Sequence, residues 1–225
     1  MPASLKAIDA YLRTKQFTSL EILVVDDGST DGTPACVERY GREHDGVRLL
    51  RNPDNRGKGH SVRNGMLAAR GEWRLFTDAD LSAPIEELDK LLSAVERQSA
   101  DVAIGSRALD RSLVGVHQSA TREYAGRFFN TIMRRITGLR LADTQCGFKL
   151  YSSGAAEQIF SRQQLDGFGF DVEDLYIASL LGFRVAEVPV RWNNVEGTKV
   201  SLWSGLDSFM DPLRIRRMHM QGRYR

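Results

Sequence analysis

The sequence predicts an α/β fold built on a mostly parallel sheet with helices on both faces. Two observations carry that prediction. Apolar runs of strand length alternate with stretches whose apolar residues recur at helical spacing. Two of these runs, Val24-Val25-Asp26-Asp27 and Phe76-Thr77-Asp78-Ala79-Asp80, end abruptly in carboxylates. Open α/β sheets bind ligands at the carboxyl ends of their strands, so both runs deliver acidic groups to the place where such a fold does its chemistry.

Leu5, Ile8, Tyr11 and Leu12 predict an opening helix. Glu21 to Asp27 reads as a buried strand, and Asp31-Gly32-Thr33-Pro34 as the turn into a helix reaching about Tyr40. Val47 to Arg51 is a short strand, Asn55 to Gly59 a basic glycine-rich loop, His60 to Arg70 a helix and Glu72 to Thr77 the next strand. Ser82 is the expected N-cap of the following helix, with Pro84 in its first turn and Glu86 and Glu87 complementing its dipole. Asp101 to Arg107 is a strand, Arg122 to Thr137 a basic amphipathic helix, and Asp143 to Gly147 a turn before a strand through Lys149 and Tyr151. Helices near Gly154 to Gln164 and Val172 to Leu181 and a strand from Arg184 to Arg191 complete the body.

At 225 residues the chain suits one domain, expected over 1–200, with an amphipathic basic extension over 201–225. Hydrophobic content of 42% and charged content of 27% exclude disordered and fibrous classes. A net charge of +2 gives no support to a nucleic-acid partner. Cys36 and Cys146 lack metal-like spacing and are expected as free thiols in a reducing compartment. No window approaches the ~20 apolar residues that span a bilayer, and no signal-peptide form is present. The expectation is a cytoplasmic protein, soluble or peripheral to a membrane.

Three motifs bear chemistry. Asp78-Ala79-Asp80 serves either as turn-forming carboxylates or as a grip on a hard divalent cation, which takes one or two carboxylates together with substrate phosphates. Asp26-Asp27-Gly28-Ser29 is a tight turn in which Gly28 supplies positive φ, or a place where the second carboxylate accepts from a base N–H or a ribose hydroxyl. Arg56-Gly57-Lys58-Gly59 lacks the P-loop pattern; it is a solvated loop, or it sets Lys58 and the next helix start near phosphates.

With Gly105-Ser106-Arg107, Asp143-Thr144-Gln145-Cys146-Gly147-Phe148-Lys149, Phe170-Asp171-Val172-Glu173 and Glu187-Val188-Pro189-Val190-Arg191-Trp192, these segments resemble family 2 glycosyltransferases with the GT-A fold, in the dolichyl-phosphate β-glucosyltransferase branch. The resemblance runs in order over nearly the whole chain. It implies inverting transfer of glucose from UDP-glucose to dolichyl or another polyprenyl phosphate. Asp27, with Gly28 and Ser29, would meet the uridine. Asp78 and Asp80 would hold the ribose and the Mg²⁺ or Mn²⁺ on the diphosphate, the ion neutralising charge on departing UDP. The acceptor is an already ionised phosphate monoester, which needs cationic positioning more than a general base. Arg107, Arg122 and Arg127 occupy acceptor-side positions, guanidinium being suited to phosphate. Asp143, Gln145 and Lys149 would line the sugar site, and Asp171 and Glu173 would contact sugar hydroxyls or cap a helix. Asp80, Arg107 and Asp143 are the catalytic candidates. The alternatives are a polyprenyl-phosphate mannosyltransferase using GDP-mannose and an inactive nucleotide-sugar binder.

Leu202, Trp203, Leu206, Phe209, Met210 and Leu213 beside Arg214, Arg216 and Arg217 either lie on an anionic bilayer, each cation adding about 1 kcal/mol, or pack on the domain itself. The resemblance also implies a first strand carrying a Pro-x-x-Asn-Glu type motif ahead of the helix at Pro2, and the sequence contains none. Its place would be between the strands at 22–25 and 73–76. The sheet is therefore expected to be interrupted there, with unpaired backbone groups.

Overall fold

The computed structural model describes residues 2–115, 133–193 and 210–225. Helices α1 (Pro2–Arg13), α2 (Thr33–Glu43), α3 (Lys58–Ala68) and α4 (Leu88–Gln98) alternate with strands β1 (Ile22–Asp26), β2 (Val47–Arg51), β3 (Trp73–Thr77) and β4 (Val102–Ser106). After them come β5 (Phe148–Ser152), α5 (Ser153–Phe160), α6 (Phe170–Leu180), β6 (Val185–Pro189) and α7 (Asp211–Met220). The expected elements are present within a few residues, and the chain is α/β.

The strands form two separate sheets. β1 pairs in parallel with β2, while β3, β5, β4 and β6 form a four-stranded sheet in that order. β5 runs antiparallel to both β3 and β4, and β4 and β6 are parallel. The expected interruption is present. Ile22 N–H donates to Gly46 and Asn52 N–H to Asp26 O, so Ile22, Val24 and Asp26 face β2 and alternate residues Leu23 and Val25 turn their backbone groups the other way.

β5 shows how the core is divided. Phe148 and Leu150 join the cluster formed with Leu91, Ala94 and Val188. Tyr151, on the opposite face, joins Phe160, Phe170 and Leu175. Because both faces are covered, Lys149 is fully buried as well. A buried lysine in a strand requires counter-charges, and α6 supplies them.

One local expectation is corrected. Ser82 does not cap α4: a 3-10 turn, Ile85–Glu87, precedes the helix, and the Ser82 N–H instead donates to Asp80 Oδ1 at 2.9 Å. A side-chain cap does form at α5, where Ser152 Oγ accepts from Ala155 N–H at 3.3 Å. Of the helix expected over 122–137, residues 133–137 are helical and the rest lie outside the described residues. Within the described part of the C-terminal segment, Ile215 and Tyr224 are buried in the cluster that contains residues of α6. Leu202, Trp203, Leu206 and Phe209 are outside the described residues. No helix among the described residues is long and apolar enough to cross a membrane.

Candidate active site

The acidic turns at the ends of β1 and β3 lie on one rim with the start of α3 between them. Asp27 follows β1. Its Oδ1 accepts from Asn52 Nδ2 at 2.9 Å and from Arg56 N–H at 3.0 Å, and its Oδ2 accepts from Gly57 N–H at 2.8 Å. Burial disfavours its charged form, but these donors outweigh burial and hold the carboxyl below the usual range. Asp27 is thus engaged in fixing the 56–57 loop. Gly28 has φ +78, and a Cβ there would meet Asn55 N, so the turn requires glycine. Ser29 is exposed, its N–H donating to Asp26 Oδ1.

Lys58 Nζ lies 2.7 Å from Asp78 Oδ1 and within 5.3 Å of the Phe76 ring centroid. The backbone start of α3 is covered: His60 N–H donates to Asp166 O, and carbonyls of Leu165 and Gly167 crowd Gly59. Those carbonyls disfavour an anion at the helix end, whereas the Lys58 ammonium extends beyond it to Asp78. Asp78 is half-buried, and burial first, then Asp171 and Asp80, push its carboxyl up against the opposing pull of Lys58. Asp80 is exposed.

Because β5 is antiparallel, its amino end reaches the same rim. Asp78 N–H donates to Gly147 O at 3.1 Å. Arg107, just past β4, makes a two-pronged contact with Asp143, Nε to Oδ2 at 2.7 Å and Nη2 to Oδ1 at 2.9 Å, and stacks 4.9 Å from the Trp192 ring centroid. Burial opposes ionisation of Asp143, but Arg107 holds its carboxyl below the ordinary range. An ionised carboxylate tied to guanidinium is a weak proton acceptor. Gln145 is half-buried in the same loop, its N–H on Asp143 Oδ1 at 3.1 Å. Glu187, on β6, anchors that loop by accepting the N–H groups of Ala142 and Asp143.

Lys149, expected to line the sugar site, lies against Asp171 with its ammonium engaged. Nζ donates to Asp171 O at 2.9 Å and Asp171 Oδ1 at 2.7 Å, and lies 3.2 Å from Asp174 Oδ2. Tyr151 Oη donates to the same Asp174 carboxylate at 2.5 Å. Lys149 is therefore fully buried and supports Asp171 from beneath, its ammonium turned away from solvent. Glu173 does not cap a helix: it lies within α6, fully buried, and its carboxylate accepts from Gln164 N–H, Leu165 N–H and Tyr224 Oη, so it anchors the 164–165 loop. Arg122 and Arg127 lie outside the described residues.

Sequence reasoning missed Asn52, Tyr151, Asp174, Glu187 and Tyr224. The signal for Asp174 was present: a lysine inside an otherwise apolar strand demands acids elsewhere, and Asp171 and Asp174 stand three apart on one helix face.

Among the described residues no three His, Cys, Asp or Glu side chains cluster closely enough to hold an ion unaided. The donor set of Asp78 and Asp80 instead fits a hard cation that completes its shell with substrate oxygens, and Asp78, Asp80 and Asp171 lie close enough to act on one another electrostatically.

A sheet of this topology with an acidic turn after β3 defines a GT-A glycosyltransferase. Solved structures agree on the fold. Mannosyl-3-phosphoglycerate synthase from Rubrobacter xylanophilus superposes with a TM-score of 0.68 at 20% identity, covering 99% of this chain and 70% of that one. Glucosyl-3-phosphoglycerate synthase from Mycobacterium tuberculosis, solved with Mn²⁺, UDP and glucosyl-3-phosphoglycerate, gives 0.66 at 16% identity, covering 96% and 74%. Residues 4–160 match the glycosyl transferase family 2 profile, and the chain belongs to that family. Dolichyl-phosphate beta-glucosyltransferase of Saccharomyces cerevisiae is 36% identical over 96% of this chain and 70% of its own length. The Mus musculus protein of that name is 38% identical over 91% and 66%.

Proposed function

We propose that this chain transfers glucose from UDP-glucose to dolichyl or another polyprenyl phosphate with inversion at the anomeric carbon. The observation that carries the reading is the convergence of Asp78, Asp80 and Lys58 on one side of the rim with the Arg107–Asp143 pair on the other. The names of the relatives support the acceptor and the sugar, and a neighbour solved with Mn²⁺ and UDP-glucose supports the donor and the ion.

Asp78 and Asp80 would hold Mg²⁺ or Mn²⁺. The bound ion supplies Lewis-acid neutralisation of the diphosphate leaving group. As donor enters, Lys58 exchanges Asp78 for a phosphate oxygen, so a pair that stabilises the free enzyme becomes a contact to the leaving group. Asp171, backed by Lys149, orients sugar hydroxyls at the centre of the rim. Arg107, its Nε and Nη2 held by Asp143, is left with Nη1 for the acceptor side. Neither carboxylate has to take a proton, because the attacking phosphate oxygen is ionised near neutral pH. Asp27 keeps the 56–57 loop in shape beneath the uridine. Arg122 and Arg127 remain acceptor-side candidates, and the exposed Arg214, Arg216 and Arg217 of α7 suit a peripheral position at the cytoplasmic face of a membrane.

The test is transfer of labelled glucose from UDP-glucose into an organic-extractable lipid in the presence of polyprenyl phosphate and Mn²⁺. Asp80→Ala should abolish transfer with an unchanged melting temperature. Transfer from GDP-mannose instead would overturn the donor assignment, and folded protein with no turnover on any lipid phosphate would make it a binding protein.

A further inference from the structure

Lys58 has more than Asp78 around it. Its Nζ lies 5.3 Å from the ring centroid of Phe76, 5.9 Å from that of Phe170 and 6.0 Å from that of Phe168. β3 supplies the first ring, the start of α6 the second, and the loop between α5 and α6 the third. Phe76 and Phe170 are buried and pack edge to face, with 5.7 Å between their centroids. Phe170 also lies 5.7 Å from Lys149 Nζ, so one buried ring serves two ammonium groups. Phe168 differs from both: it is 38% exposed and belongs to none of the buried clusters. Yet the loop that carries it is fastened to the helix that Lys58 opens. Gln163 Nε2 donates to Gly59 O at 3.0 Å, Asp166 O accepts from His60 N–H at 3.2 Å, and Asp166 Oδ1 accepts from Arg63 Nη2 at 2.8 Å. On the other flank of Phe168, a Cβ at Gly169 would overlap the Asp211 carboxylate. Ring and ammonium are thus fixed to the same helix.

The two kinds of partner respond differently when Asp78 is called away. A carboxylate that gives its oxygens to an ion loosens its hold on the ammonium, and a lysine side chain left without a partner regains its rotamer freedom. The ring faces are untouched by that change. They attract a cation through their quadrupole and take up none of its three N–H donors in a conventional hydrogen bond, so the ammonium stays in place with those donors open to phosphate. We propose that Phe168 is a positioning residue: together with Phe76 and Phe170 it keeps the Lys58 ammonium at the rim when Asp78 turns to an ion, ready for the diphosphate of the donor. The ring contacts belong to the free protein; the hand-over to diphosphate rests on the function proposed above. Phe168 is the member of the trio that can be tested, because its ring lies outside the core whereas those of Phe76 and Phe170 help to build it.

The experiment is calorimetry of UDP, with Mn²⁺ present, on the full chain and on Phe168→Leu, Lys58→Gln and the two substitutions together, a cycle that isolates the pair. Phe168→Leu should bind UDP about three- to fivefold more weakly than the original chain at an unchanged melting temperature, and Phe168→Trp should restore binding. In the Lys58→Gln background the leucine should leave affinity unchanged. An equal penalty in both backgrounds means that the ring touches the ligand itself and overturns the positioning role; so does full affinity in Phe168→Leu. Replacement of Phe168 by a trifluorinated phenylalanine keeps the shape and removes the negative ring face, so it should weaken UDP as leucine does, and full affinity there reduces the ring to packing and overturns the proposal. If GDP binds and UDP does not, the same cycle read with GDP tests Phe168 while the donor assignment alone falls; binding of neither overturns the hand-over. A lysine-dependent response to Phe168 in a protein that moves no glucose to polyprenyl phosphate counts against the proposed reaction and leaves the role of Phe168 in place.

Discussion

Lys58 Nζ sits 2.7 Å from Asp78 Oδ1, so the cation that opens α3 is already committed to the first carboxylate of the acidic turn. Any ion that binds Asp78 must displace it, and any phosphate that arrives offers it a new partner. Lys58→Gln should strengthen Mn²⁺ binding to the nucleotide-free protein, by about tenfold for a loss of roughly 1.4 kcal/mol of competition, while turnover falls. Calorimetric Mn²⁺ titration of both proteins checks this, and an unchanged affinity would refute the exchange.

Gly147 leaves no room above Asp78. A Cβ at position 147 would overlap the Asp78 carboxylate, whereas at Gly154, inside α5, nothing lies within 4 Å. Gly147→Ala should cost about 1–3 kcal/mol of stability and remove most transfer activity. Gly154→Ala should be neutral or stabilising by up to about 1 kcal/mol. Urea denaturation of the two variants side by side reads the difference.

Arg107 and Asp143 test the positioning role. Arg107→Lys keeps the charge but loses the fork, at a cost of about 1–3 kcal/mol. Asp143, whose folded carboxyl lies below its ordinary value, contributes stability present above the unfolded value and lost as pH falls through the folded one. In the lysine variant that acid-side loss should shrink. Stability curves at a series of pH values between 2 and 6, on both proteins, show whether it does; parallel curves would count against the pair.

Asp174 behaves in the opposite sense. Burial pushes its carboxyl up to about 7 against the pull of Lys149. The native state therefore holds a proton there that the unfolded chain has released, and stability falls as pH rises from the ordinary carboxylate range through 7. Asp174→Asn removes this titration, so the margin of the original protein over the variant should narrow steadily across that window. A margin independent of pH would show that Asp174 stays ionised throughout.

Much of this was legible in the sequence, for a physical reason. Val24 to Asp27 and Phe76 to Asp80 announce themselves because an unpaired acid inside a buried strand is costly, so a run of acids after apolar residues marks the strand end. The interrupted sheet was legible through the resemblance. The direction of β5 was not, since nothing local in Phe148–Ser152 says which strand it will pair with. The partners of Asp27, Glu173 and Lys149 were hidden for the same reason: Asn52, Tyr224 and Asp174 meet them only across the folded sheet. Arg107 and Asp143 were recognised as site residues, but not as a pair that neutralises itself.

The placement of β5 between β3 and β4 also governs how the protein is made. β3 leaves the ribosome with Thr77 but finds Phe148 only after the intervening chain has been synthesised, a delay on the order of several seconds at about 5–20 residues per second. Throughout that interval both borders of β3 are bare and the acidic turn has no floor. The acidic turn after β3 therefore reaches its folded surroundings only once Gly147 and Phe148 have been made.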